Sequence, residues 1–308
     1  MKARFRIISM LFMILLLVIG ACSVDKQENL NAQNAVLTFI VNADTRKYAG
    51  GRYDSLQYFL GNCEAVKKAG KGAFMVSVGD IDPPEPIYTT VKKVLGKNYP
   101  WYPIVGNHEA ETTEDMAFLR ELSRKDLPNI LRFGPKNGEE TTYSADYKNT
   151  HIVALNEYYN GISDIGTNGD VDDSLYNWLQ NDLKQNNKPF IFVFGHEPLI
   201  SIPDYENGRH RHKGDNLDNH PKNNHRFQQL LKKYGVTAYI CGHTHNVSYT
   251  KINGLWQLDA GHSRGIGDRG APSSFLKFLV GKKMCKVQIY RDDANGGAYR
   301  LVKTVTLD

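Results

Sequence analysis

The chain has 308 residues, of which 41% are hydrophobic and 23% charged. This is an ordinary globular composition, with length for one large or two small domains. The formal charge is +5, yet Lys2, Arg4 and Arg6 all fall in the first 21 residues, which hold no Asp or Glu. The remainder is close to neutral, which removes the bulk-charge argument for nucleic-acid binding.

At the amino terminus those basic residues precede an apolar run from Ile7 to Gly20, broken only by Ser9. As a helix it would span roughly 21 Å, short of the roughly 30 Å hydrocarbon core, so it reads as an export signal rather than a transmembrane anchor. Ile19-Gly20-Ala21-Cys22 resembles the lipobox of bacterial lipoproteins. That resemblance implies cleavage before Cys22, acylation of its thiol, and a mature protein exported and lipid-anchored to the cell envelope, at the outer membrane, periplasm or surface. Two or more acyl chains suffice for stable attachment. Residues 22–34 are polar and aperiodic, as expected of a tether, which leaves 35–308 for the folded domain. Cys63, Cys241 and Cys285 show no CxxC spacing and give no sign of a disulfide framework; they read as small buried residues.

In the folded part, Leu37 to Val41 is strand-like, and a helical pattern runs from Tyr53 to Ala69. Phe74 to Val78 is again apolar, followed by a helix over Ile87 to Leu95 and a strand over Trp101 to Val105. The alternation continues with strands His151–Leu155, Phe190–Phe194 and Val236–Cys241, and helices Asp173–Leu183 and Arg226–Tyr234. Such alternation predicts an α/β fold with strands buried on both faces. From Val247 onward five strand-like segments follow, with Asn253-Gly254 and Gly281-Lys282 suited to hairpins. The carboxy-terminal part is therefore expected to be mostly antiparallel β. The polar segment Pro203 to Asn224 is long for a compact domain and reads as functional or mobile.

Five segments place a metal-capable side chain just after an apolar strand: Asn42-Ala43-Asp44, Gly79-Asp80, Gly106-Asn107-His108-Glu109, Gly195-His196-Glu197 and Gly242-His243-Thr244-His245. Open α/β sheets bind ligands at the carboxyl ends of their strands. Glycine before a ligand allows close backbone approach. Mixed carboxylate, amide and imidazole donors suit Mn, Fe or Zn. Alone, each segment is weak evidence; the ordered set is strong.

This set resembles the calcineurin-like metallophosphoesterase superfamily over roughly residues 36–262. The resemblance implies an αββα sandwich, two mixed β-sheets flanked by helices, here with a β-rich carboxy-terminal extension. It also implies two metal ions. One would be held by Asp44, Asp80 and His245, the other by Asp80, Asn107, His196 and His243, with Asp80 bridging and His108 contacting the phosphate. The substrate would be a phosphorylated molecule, hydrolysed as a phosphomonoester or phosphodiester. Two features depart from the pattern. Many relatives carry a histidine ligand where Arg46 stands, and a guanidinium has no lone pair to give. Arg46 would then grip substrate phosphate or pair with a carboxylate. The purple acid phosphatase subgroup has a tyrosine where Pro83 stands, which disfavours that subgroup. Rival readings are a nuclease or cyclic-nucleotide phosphodiesterase, and a weakened member that binds a phosphorylated ligand without turnover. Among the other histidines, His210, His212, His220 and His225 read as solvated loop residues, and His262 as structural.

Overall fold

The computed structural model describes residues 30–46, 55–265, 268, 271–292 and 298–308. The leader and Cys22 lie outside them. Leu30, the first described residue, is buried, with its side chain against Gly281 and its carbonyl accepting from Lys286.

Two sheets stack face to face. In the first, β1 (Leu37–Asn42), β2 (Met75–Val78) and β3 (Trp101–Ile104) run parallel. In the second, β6 (Thr150–Ala154), β7 (Phe190–Phe194), β8 (Ala238–Cys241) and β10 (Leu255–Ala260) run parallel. Period-two alternation sends side chains of each strand to opposite faces. Leu37, Phe39 and Val41 of β1 thus meet Phe192 and Phe194 of β7 between the sheets. Phe39 stacks between Phe74 and Phe278, with centroids 4.9 and 4.6 Å away, and truncating such a core ring costs about 3–5 kcal/mol. Ile40 points the other way, into the layer formed by α1 (Ser55–Ala69), α2 (Pro84–Leu95) and α4 (Thr113–Lys125). Over the second sheet, α5 (Asp173–Gln185) and α6 (Pro221–Lys233) cover Val153, Ile191 and Val193. The Asp172 carboxylate accepts from Leu175 N at 2.8 Å and starts α5. The expected αββα sandwich is present.

The β-rich end is woven into both sheets. Antiparallel β11 (Ser274–Val280), β12 (Cys285–Arg291) and β13 (Arg300–Leu307) form half of the first sheet, with β11 beside β1. Asn253 and Gly254, both at positive φ, close the hairpin of β9 (Val247–Ile252) and β10. After that turn β10 travels in the direction of β8 and pairs with it parallel, Leu258 opposite Ile240. Among the described residues, elements not anticipated are the short α3 (Asn107–Ala110), α4, the strands β4 (Ile130–Phe133) and β5 (Tyr143–Tyr147) at the edge of the second sheet, and a single helical turn over Leu217–Asn219 in the polar loop. Cys63, Cys241 and Cys285 are free and buried. No helix among the described residues is long and apolar enough to cross a membrane.

Away from the strand ends, the second sheet carries a buried charge cluster. His151 bonds Asp146 at 2.7 Å and Asp182 at 2.8 Å, and Asp182 also accepts from Arg132 and Ser144.

Candidate metal centre

The carboxyl ends of the two parallel strand sets face one cleft. From the first sheet come Asp44 after β1, Asp80 after β2, and Asn107 with His108 at the start of α3. The second supplies His196 after β7 and His243 and His245 after β8. Backbone bonds lock the first group: Asp44 N donates to Gly79 O at 3.0 Å and Thr45 N to Asp80 O at 2.7 Å. Side chains then tie one sheet to the other. His243 N donates to Asp44 Oδ2 at 2.9 Å, and His196 Nδ1 to Val78 O at 2.9 Å. A Cβ on Gly106 would sit 2.3 Å from Asp80 N, and one on Gly242 would sit 2.7 Å from Asp44 Oδ2, so only glycine allows these approaches.

All six candidate ligands converge. Asp44, Asp80 and His245 offer ligand atoms that lie within 4.8 Å of one another. His245 Nε2 is 3.3 Å from Asp44 Oδ1. Across Asp80, His196 Nε2 lies 3.3 Å from Asp80 Oδ1 and 3.2 Å from His243 Nδ1. Asp44 Oδ1 and Asn107 Oδ1 are buried without a hydrogen-bond partner, which native structures seldom tolerate. Burial, Asp80 and Asp259 push the Asp44 carboxyl well up. Burial and neighbouring cations hold the His243 imidazole well down, while for His245 burial outweighs the opposing pull of Asp268. Unpaired oxygens beside neutral imidazoles are the donor set a transition-metal cation satisfies, so the residues fit a metal pair.

Supporting groups fix these ligands. Glu109 is fully buried and accepts from Asp80 N, Ile81 N and Gly106 N at 2.9, 2.7 and 2.7 Å, which sets two ligand turns at once. Behind His196, Glu157 Oε2 accepts from Glu197 N at 2.7 Å. Burial and the neighbouring Glu197 push that carboxyl up to about 8. Thr244 Oγ1 donates to Asp259 at 2.6 Å and holds the turn between the two later histidines.

The cleft, about 350 Å³ in volume, is also lined by His108, Arg46, Arg211, His212 and Arg264. Arg46 donates to His108 Nε2 and lies 3.4 Å from Asp82, one of the carboxylate pairings the sequence allowed. Arg264, 4% exposed, donates to His245 Nδ1 at 3.1 Å. Arg211 belongs to the long polar loop, as do His210 and Arg209, and Arg209 and Arg211 both pair with Asp268. The loop is anchored where Asp204 meets the buried Arg291 of β12 at 2.8 Å. Sequence reasoning left Arg211 and Arg264 unassigned and read His212 as solvated. His212 instead packs against His243, ring centroids 4.1 Å apart. One signal for Arg264 existed: Gly261-His262-Ser263-Arg264 follows β10 as the ligand segments follow their strands. His262 is buried, with Nε2 donating to Ala271 O at 3.1 Å. Pro83 stands just before α2 and offers no side-chain oxygen.

Strand-end carboxylates, an amide and imidazoles thus meet at one rim of an αββα sandwich, the arrangement of a metallophosphoesterase-type site. Residues 37–247 match the calcineurin-like phosphoesterase family, to which the chain belongs. It is 27% identical over 198 residues to rabbit (Oryctolagus cuniculus) tartrate-resistant acid phosphatase type 5, covering 60% of this chain and 57% of that protein. With the human (Homo sapiens) protein of that name the identity is 23% over 197 residues, covering 60% and 57%. The chain thus spans just over half the length of these relatives. In fold it is similar to a solved structure described as GAP50, the anchor in the inner membrane complex of Plasmodium. The TM-score is 0.54 at 16% identity, over 88% of each chain. The family implies a dinuclear metal site, for which the Asp and His groups above are the candidates.

Proposed function

We propose that this chain hydrolyses phosphomonoesters at a dinuclear centre. Asp44, Asp80 and His245 would hold one ion, and Asp80, Asn107, His196 and His243 the other, with Mn, Fe or Zn the metals suited to such donors. When bound, the metal pair activates a water and neutralises phosphate charge. The chain's own residues supply the rest. Glu109 and the backbone bonds of Asp44 keep the ligand turns rigid, and His108, 23% exposed at the cleft, is placed to hydrogen-bond the leaving oxygen. Water oxygen bonds to phosphorus as the ester P–O bond breaks, and the one proton the water gives up is matched by the one the leaving alkoxide takes up. The observation that carries the monoester choice is the trio Arg46, Arg211 and Arg264 on the walls of one cleft. Guanidinium groups grip phosphate oxygens by charge-assisted hydrogen bonds. A monoester dianion offers three free oxygens to such a trio; a diester offers two oxygens and a single charge. The likeness to acid phosphatases is consistent with this reading.

The test compares phenyl phosphate with its methyl diester. The metal-loaded protein is expected to favour the monoester by at least about tenfold in kcat/KM, and Arg211→Ala to lower the monoester value by roughly 10- to 150-fold. A diester preference would overturn the proposal. Arg46 motivates a second reading, a ligand binder with one weak metal position, because it stands where relatives have an imidazole. A single tightly held ion together with no turnover would favour it.

We also propose export and lipid anchoring through Cys22, which rests on the leader sequence. Cys22→Ser should leave the membrane fraction or remain uncleaved; an unmodified mature terminus at another residue would refute the anchor.

A further inference from the structure

The cleft does not end at the ligands. Past Asn107 and His243 it opens into a second cavity of about 170 Å³. This annex is bordered by Glu111, Asn168, Glu197, Asp215, Asn216 and Asn219. Its position relative to His108 gives it a role. Glu111 Oε2 lies 3.4 Å from His108 Nδ1, so the annex begins at the carboxylate that faces the ring nitrogen turned away from Asp80. An alcohol leaving beside His108 would be directed into it.

Its lining chemistry differs from that of the arginine cleft. Apart from the imidazoles of His220 and His243, no aromatic or aliphatic side chain among the described residues borders the annex, so it provides no apolar platform for an aryl ring. Its carboxylates, Glu111 and Asp215 at the rim and Glu197 behind them, oppose a second phosphate or a carboxylate. Amides remain, and they both donate and accept. Asn216 is 1% exposed, its amide nitrogen donates to His212 O, and its Oδ1 is buried without a partner. Asn168 and Asn219 stand exposed at the edge. A buried acceptor without a donor, set among amides and carboxylates, is a site for hydroxyl groups.

We infer that the annex selects the alcohol half of the substrate, and that this half is polyhydroxylated: a sugar or polyol phosphate. The inference rests on the phosphomonoesterase reading above. Phosphate would lie on the arginine side, and the hydroxyls on the amide side would donate to Asn216 Oδ1 and the rim carboxylates.

The experiment measures kcat/KM of the metal-loaded full chain for glycerol 3-phosphate and a hexose 6-phosphate against butyl phosphate, which lacks hydroxyls. The hydroxylated esters are expected to lead by about tenfold or more, the equivalent of one or two neutral hydrogen bonds. In Asn168→Ala/Asn219→Ala, both at exposed positions where folding is insensitive, that ratio should fall several-fold toward one. A separate Asn216→Leu variant, checked by thermal melting, should do the same by filling the annex. Equal rates for hydroxylated and hydroxyl-free esters would overturn the annex inference and leave the phosphomonoesterase reading standing. So would a ratio that survives the substitutions. Absence of turnover for every monoester would overturn both.

Discussion

The two ends of the cleft are built from the same kind of strand-end turn, yet they present opposite surfaces. Around Asp44 and His245 the neighbours are Arg46, Arg211 and Arg264, with Asp268 balancing the last two. Around Asn107 and His243 they are amides and carboxylates. Both ends share Asp80 and the same Glu109 anchor. The contrast arises in the connecting segments rather than in the ligand motifs. The polar loop delivers Arg211 to one end and Asn216 and Asn219 to the other, while the segments after β1 and β10 add Arg46 and Arg264 to the first and the segment before α5 adds Asn168 to the second. Charge is thus sorted within one cavity by loops, while the strands fix only the reaction centre.

Substitutions at the seam separate what the two ends share from what each owns. Asp80→Ala removes the carboxylate common to both candidate positions, so activity should vanish and metal content should fall at both. Elemental analysis with an activity assay checks this, and retained turnover would place the centre elsewhere. His108→Ala, also at the seam but assigned no metal, should keep near-normal metal content while kcat drops by about 10²–10⁴. Loss of both ions in that variant would make His108 a ligand. Arg46→His alters the cationic end and the donor to His108 Nε2 there. At saturating metal, kcat/KM should fall by roughly 10- to 150-fold, because a charge-assisted contact worth about 1.5–3 kcal/mol is lost. A gain in metal affinity without that kinetic loss would instead show a position short of one ligand.

A buried charge cluster outside the cleft supplies the control. Burial alone would lower the His151 pKa, but hydrogen bonds and charges from Asp182 and Asp146 raise it above 6.5. Burial raises Asp182, yet His151, Ser144 and Arg132 bring it below 3.8. The histidine contribution is therefore fully present below about pH 6.5 and lost as pH rises through the folded value. The aspartate contribution is present above about 3.8 and lost as pH falls through its own folded value. His151→Gln should destabilise by about 3 kcal/mol near pH 5–6, with the difference shrinking at alkaline pH in thermal melts. A pH-independent difference would mean the imidazole is uncharged. The metal-dependent rate should change little.

Much of the fold was legible because each sheet contains a block of parallel strands buried on both faces, where a strand reads as a continuous apolar run such as Phe190–Phe194. All six candidate ligands were legible because each comes directly after such a run. The stretch between Asn107 and Tyr147 was less so. In α4 the buried Met116, Leu119 and Leu122 recur every three residues and could have been found. Edge strand β4 alternates partly buried and exposed positions, leaving little apolar signal. Arg211 and Asn216 carry no local signature, because what makes them site residues is the anchoring of their loop by Arg291 from distant β12.

Asp44, Asp80, His243 and His245 all adopt positive φ, between 51° and 68°. For residues with a Cβ such a backbone is disfavoured by roughly 1–2 kcal/mol each. At these four of the six candidate ligands the chain takes a conformation that only glycine adopts freely, at residues that could not be glycine and still bind a metal. Under the proposed function these residues are kept for binding despite the local cost, and replacing one by glycine is expected to gain stability while losing function.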